Sequence, residues 1–141
     1  MTPDVNGRYG TTLVILGEPA SKANSRRIVN IRGRMVPIKS QKALDYVGSL
    51  RLQAAAQVSA MIEGDLRVEM MIHYASRRPD LDESVILDAL QGIAYANDRQ
   101  VKQRMTYWGL DKDMPRAVIR ITQCDLDDVP EYLRTTSTGI A

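Results

Sequence analysis

At 141 residues and 15.8 kDa, 44% hydrophobic and 26% charged, the chain is sized for one globular domain (1–141) and is neither disordered nor fibrous in composition. No apolar run approaches the roughly 18 residues of a bilayer span, residues 1–10 lack the basic-then-apolar pattern of a secretory leader, and one cysteine (Cys124) with one histidine (His73) exclude internal disulfides and Cys/His zinc sites. The formal charge of +2 conceals a split: residues 1–60 carry nine Lys/Arg against three Asp/Glu, and residues 61–141 carry ten against fourteen. A cytoplasmic protein working through carboxylates, Lys/Arg or hydroxyls is expected, with a polyanion-facing half and a carboxylate-bearing half; simple solvated faces would produce the same split.

Taken in order, Thr11–Leu16 is β-branched and stops at Gly17, which predicts a strand. Residues 18–25 form a Pro- and Ser-containing loop that leads to Arg26 and Arg27. Arg27–Ile31 and Met35–Ile38 flank Arg32-Gly33-Arg34 as a hairpin with arginines on both sides of its glycine. Ser40 is the expected N-cap of a long helix to about Glu63, with Ala43, Val47, Leu50, Ala54, Val58 and Met61 in one apolar stripe. Leu66–Tyr74 alternates as a strand, with Leu66, Val68, Met70, Ile72 and Tyr74 on one face and Arg67, Glu69, Met71 and His73 on the other. The polar stretch Ala75–Asp82 leads to a short helix over Glu83–Gln91 that ends at Gly92, and Ile93–Ala96 is an extended return. Val101–Leu110 and Arg116–Gln123 are two further strands, and the acidic stretch from about residue 125 to 141 is a loose tail. The order β, hairpin, α, β, α, β, β predicts an α+β fold with a mixed or antiparallel sheet, one long helix and one short one. Tyr95, Tyr107 and Trp108 are core aromatics or base-stacking groups, and Cys124 has no activating neighbours in sequence.

Chemistry concentrates in Arg77-Arg78-Pro79-Asp80-Leu81-Asp82-Glu83, with Asp98 sixteen residues beyond Asp82. Asp80 and Asp82 share one side of an extended chain. The helix and the return after it are of similar length, about 15 and about 16 Å, so Asp98 can come back beside Asp82. Three carboxylates there are hard oxygen donors of the kind Mg²⁺ takes. The same residues also describe a capped helix start, with carboxylates favoured by the helix dipole and Asp98 as a turn residue. The flanking Arg77 and Arg78 go beyond what a cap requires and point to phosphate.

Together with Leu87-Asp88-Ala89-Leu90-Gln91-Gly92-Ile93 and Tyr95-Ala96-Asn97-Asp98-Arg99-Gln100-Val101, this run resembles the signature of the RusA family. These are endodeoxyribonucleases that resolve Holliday junctions, many of them encoded by phages or prophages. The loop with Pro19, Ser21, Lys22, Asn24 and Arg26 is similar, more weakly, to the family's opening P-x-S-x-N-x-R region. The resemblance covers about residues 11–123, and its specific part is Arg77–Val101. It implies an α+β homodimer that binds a four-way DNA junction and makes paired symmetric nicks with Mg²⁺ or Mn²⁺. It gives Asp80, Asp82 and Asp98 the catalytic, metal-binding role. Four departures stand out: Glu83 in place of Asn, Asn97 in place of the first Asp of a D-D pair, two residues fewer between Asp82 and Asp88, and Ile86 where a functional helix lysine is expected. Lys22, Arg99 or Lys102 is a substitute for that lysine, and Glu83 is a candidate fourth carboxylate.

On this reading Lys22, Arg26, Arg27, Arg32, Arg34, Arg77, Arg78, Arg99 and Lys102 contact DNA phosphates, giving affinity without base reading. Charged edge strands also block aggregation, which is the simpler role for the hairpin arginines. The expected function is metal-dependent phosphodiester hydrolysis at branched DNA in recombination and repair, in the cytoplasm of a bacterium or phage-infected cell. The alternative is a junction-binding module with weak or no cleavage, favoured by the missing lysine and the shortened helix. An Asp-x-Asp phosphotransferase finds no glycine-rich loop here, so neither a nucleotide cofactor nor a membrane partner is expected.

Overall fold

The computed structural model describes residues 2–20 and 26–134, so Ser21, Lys22 and Asn24 lie outside the described residues. In chain order its main elements are β1 (Gly10–Leu16), β2 (Arg26–Ile31), β3 (Arg34–Lys39), α1 (Gln41–Gln57), β4 (Leu66–Tyr74), α2 (Ser84–Ala89), β5 (Val101–Leu110) and β6 (Arg116–Gln123). The fold is α+β. Four strands form a mixed sheet in the order β1-β6-β4-β5, and β2 and β3 form a separate hairpin. β6 runs antiparallel to both β1 and β4, whereas β4 and β5 are parallel. A parallel pair needs a long crossover. Here that crossover is residues 75–100, the stretch that holds α2 and every carboxylate of the sequence motif.

The alternation in β4 is realised: Leu66, Val68, Met70, Ile72 and Tyr74 are buried. They pack with inward residues of β1 and β6 beneath α1 and α2. α1 starts at Ser40, whose side chain accepts from the Ala43 N–H. β1 is a sheet edge, and α1 closes it. Gln57 accepts from the Val14 N–H (2.9 Å) and donates to the Val14 carbonyl (2.8 Å). Gln53 does the same at Leu16, at 2.7 and 3.1 Å. Two glutamine amides thus stand in for the missing neighbouring strand.

Three expectations are corrected. α1 stops at Gln57 rather than near Glu63, because Val58 turns to extended geometry and the chain leaves the helix. That exit buries Ile62 and hydrogen-bonds its N–H to the Ala94 carbonyl (2.8 Å), while Met61, expected in the apolar stripe, is 49% exposed. The stripe also uses Tyr46 in place of Val47 among its fully buried positions. Residues 93–96 are not an extended return but a turn, closed by the Gly92 N–H on the Tyr95 carbonyl (2.7 Å). Gly92 takes φ 81°, which a side chain would strain. Finally, the tail is held as far as Arg134. Arg8 pairs with Asp125 (2.8 Å) and Asp128 (3.0 Å), and Arg67 pairs with Asp128 (3.1 Å). The acidic patch exists to meet those two arginines; residues 135–141 lie outside the described residues.

The other face of the sheet carries neither α1 nor α2, and at its Arg67–Glu69 end it is bordered by residues 128–133. The strand registers align Val14, Val118, Met71 and Tyr107 in one row across all four strands. Val14, Met71 and Tyr107 are exposed there. His73 sits on this face too, beside Gly109, where an added Cβ would lie 2.8 Å from its Nδ1.

Candidate active site

The motif segment is held by two aromatic side chains, Tyr74, expected on the inner face of its strand, and Trp108, for which the sequence left core packing and base stacking both open. Tyr74, the last residue of β4, stacks on Trp108 of the parallel strand β5, with ring centroids 5.7 Å apart. The Trp108 indole N–H donates to the Pro79 carbonyl (3.0 Å), and the Tyr74 hydroxyl donates to the Asp80 carbonyl (3.3 Å). The pair therefore ties the backbone just ahead of Asp82 to the ends of both parallel strands. Burial holds the Tyr74 phenol above its ordinary pKa, so it stays a donor.

At Asp82, one carboxylate oxygen, Oδ1, accepts from the Ser84 N–H (3.0 Å) and from the Ser84 hydroxyl (2.7 Å). Asp82 thus opens α2 in the manner of a cap, while Glu83 makes no capping bond. Glu83 instead pairs with Arg104 at 3.7 Å. Asp98 begins a 3-10 turn (Asp98–Gln100) capped by Asn97, which accepts from the Arg99 N–H (2.9 Å). The Asp98 N–H donates to Gln91 Oε1 (3.0 Å), and Gln91 Nε2 donates to Asp88 Oδ1 (2.9 Å). One amide therefore links the turn that carries Asp98 to the carboxylate of Asp88 at the end of α2. Arg51 of α1 fixes that end, donating to the carbonyls of Ala89 (2.7 Å) and Gln91 (3.0 Å). Behind it the buried Tyr95 hydroxyl donates to the Leu87 carbonyl (2.6 Å). Burial and then the charges of Asp98 and Asp88 push the Tyr95 phenol far above its ordinary pKa.

These elements open onto a cleft of about 330 Å³ lined by Asp82, Ser84, Val85, Asp88 and Asp98 from the crossover and by Ala20, Arg26, Lys39 and Ala43 from the N-terminal part of the chain. The structure brings Asp82 and Asp98 to one cleft and adds Asp88, which the sequence offered only as a motif letter. Asp80 is exposed and is not among the lining residues. The donors are hard oxygens suited to a divalent ion. Among the described residues, no three His, Cys, Asp or Glu side chains are drawn together tightly enough to hold a metal.

A family model described as Endodeoxyribonuclease RusA matches residues 17–122, which is most of the chain. The chain belongs to the RusA family. A search of curated proteins returned no match. The matched span includes the hairpin, both helices, the cleft and three of the four sheet strands, with β1 lying just before it.

Against the RusA pattern, the departures now have physical readings. Asn97 is a turn cap, a task its amide performs as well as a carboxylate does. Ile86 is fully buried in the core, so α2 presents no cation from that position. Glu83 is engaged by Arg104, away from the lining of the cleft. Of the nine cations expected at DNA, Arg26 lines the carboxylate cleft. Arg27, Arg32 and Arg34 are exposed on the hairpin, where Arg32 (φ 51°) and Gly33 (φ 81°) make the turn. Arg77 and Arg78 are exposed just ahead of the motif carboxylates. Arg99 and Lys102 line a separate groove with Met61, Glu63 and Asp65. Lys22 lies outside the described residues. Sequence reading missed Lys39, because only the cross-strand pairing Arg26–Lys39 and the placement of the hairpin base bring it to the site. Cys124 is buried, and burial pushes its thiol up from the ordinary value, which leaves it inert.

Proposed function

We propose that this chain is a structure-specific endodeoxyribonuclease that nicks four-way DNA junctions in pairs by metal-dependent phosphodiester hydrolysis, acting as a homodimer in recombination and repair. The observation that carries the reading is a cleft lined by three carboxylates and two cations, set within the matched span of a family of endodeoxyribonucleases. Asp82 and Asp98 are the first candidates to hold Mg²⁺ or Mn²⁺, with Asp88 beside them in the cleft and Asp80 two residues upstream of Asp82. A bound divalent ion would supply countercharge to the phosphate and lower the pKa of a water.

The chain's own residues do the rest. Trp108 and Tyr74 hold the Pro79–Asp80 backbone, and Gln91 holds the Asp98 turn, so the carboxylates stand still while the substrate arrives. A carboxylate of this set accepts a proton from the attacking water. Arg77 and Arg78 lie exposed at the approach to Asp82, and the hairpin arginines extend the positive surface; both attract phosphates without reading bases. A homodimer suits the substrate, since two nicks on a nearly two-fold junction call for two related sites. The open sheet face, with its apolar row, is a surface that a second copy would cover.

The test incubates the protein with a mobile four-way junction or a linear duplex, with Mg²⁺ and with Mn²⁺. Paired symmetric nicks in the junction alone are expected, and Asp82→Asn removes them, by about 100-fold or more, with junction affinity retained. A wild-type chain that binds junctions and never nicks them under either ion is a binding module, and the nuclease reading fails.

A further inference from the structure

We propose that Lys39 is the general acid of the nicking reaction, protonating the deoxyribose oxygen that leaves the phosphorus, while Arg26 grips the non-bridging oxygens of the same phosphate. This assignment rests on the nuclease reading above. Lys39 and Arg26 face each other across the hairpin base in register, and both line the same cleft as Asp82, Asp88 and Asp98. A phosphodiester in that cleft meets these two cations as well as the carboxylates.

The two cations are not equivalent. Arginine keeps its proton under all ordinary conditions and offers a planar fork for phosphate oxygens. Lysine, with an ordinary pKa of about 10.4, is far more acidic than an alcohol and can give its proton up. Of the other basic side chains near the crossover, Arg51 is bound to the Ala89 and Gln91 carbonyls, Arg104 to Glu83, and Lys102 and Arg99 line another groove, while Arg77 and Arg78 are exposed ahead of Asp82 and, as arginines, keep their protons. α2 itself points a buried Ile86 into the core. The step balances as follows. Water oxygen bonds to phosphorus and loses a proton to a carboxylate; the P–O bond to one deoxyribose breaks. Its electron pair takes the Lys39 proton, leaving an alcohol and a neutral amine that solvent reprotonates.

The experiment compares single-turnover nicking by wild type, Lys39→Ala and Lys39→Arg. The substrates are an ordinary junction and junctions with sulfur replacing the 3′ or the 5′ bridging oxygen at the scissile phosphate. A thiolate leaves without a proton. Lys39→Ala is expected to slow the ordinary junction by about 100-fold or more, and to nick one of the two sulfur junctions within a few-fold of wild type. Lys39→Arg, which keeps charge but gives no proton, should resemble Lys39→Ala in rate and wild type in junction affinity. If Lys39→Ala misfolds by circular dichroism, Lys39→Met takes its place. Equal slowing on oxygen and both sulfur junctions overturns the acid role, as does a Lys39→Ala variant that nicks at the wild-type rate. In either case the nuclease reading stands; a wild type that never nicks removes both.

Discussion

Asp88 and Asp80 divide the carboxylates of the motif by what surrounds them. Asp88 lines the cleft and is held by Gln91, the amide that also fixes the Asp98 N–H. Asp80 contributes its backbone carbonyl to Tyr74, and its side chain lies outside the lining. Asp88→Asn should therefore cost about tenfold more in single-turnover junction nicking than Asp80→Asn; the reverse order would return the third carboxylate to Asp80. At this scale Asp82 and Asp98 were legible, because their spacing bracketed a short helix. The separation of Asp80 from the cleft was not, since same-side projection in an extended strand says nothing once the chain bends into α2.

Elements here are joined by polar side chains that act on backbone groups or on each other. The C-terminal stretch is the clearest case: Asp128 meets both Arg8 and Arg67, and Arg67 also donates to the Asp128 carbonyl (3.0 Å). The hydrogen bond from Arg8, then the charge of Arg67, hold the Asp128 carboxyl below its ordinary value of 3.8. A depressed carboxylate stabilises the fold above its unfolded pKa and loses that contribution as pH falls through the lower folded value. Residues 125–134 should stay docked at neutral pH and release below pH 3.8, with Arg8→Ala releasing them at neutral pH. Hydrogen exchange of that stretch is the measurement. Protection unchanged from pH 6 to well below the ordinary carboxylate range, or unchanged in Arg8→Ala at neutral pH, would mean that the ion pairs do not hold it. The sequence showed the acidic run but not its partners, because Arg8 and Arg67 are distant in the chain and reach it only through the sheet.

For the whole molecule, the proposed homodimer would pair copies through the sheet face that α1 and α2 leave free. Four strands about 4.8 Å apart and nine residues of β4 at about 3.3 Å give at most roughly 600 Å² of flat area per copy, the low end of a specific interface, and residues 128–133 border part of it. A two-fold axis along the strands, midway between β6 and β4, sets each residue opposite its own row mate in the other copy. Val118 then meets Met71, Val14 meets Tyr107, and Arg120 meets Glu69. Apolar side chains oppose apolar ones and the charges are opposite in sign. Met71→Lys is expected to turn a dimer into a monomer by sedimentation and to turn paired nicks into single ones. A wild type that sediments as a monomer at tens of micromolar would end this account of the face.

The sequence by itself determined the strands, the hairpin, both helices and the family, since hydrophobic alternation, turn chemistry and motif spacing are local signals read within a few residues. It also settled that α2 carries no cation, because an isoleucine stands where one is needed. Only the tertiary structure decided where α1 ends, how residues 93–96 turn, what the acidic patch binds and which cations face the carboxylates. Each of those depends on groups far apart in the chain, such as Ile62 with Ala94, Arg8 with Asp128, and Lys39 with Asp82. The net charge of a half-chain locates a positive region; packing alone brings one lysine of that region to a particular cleft.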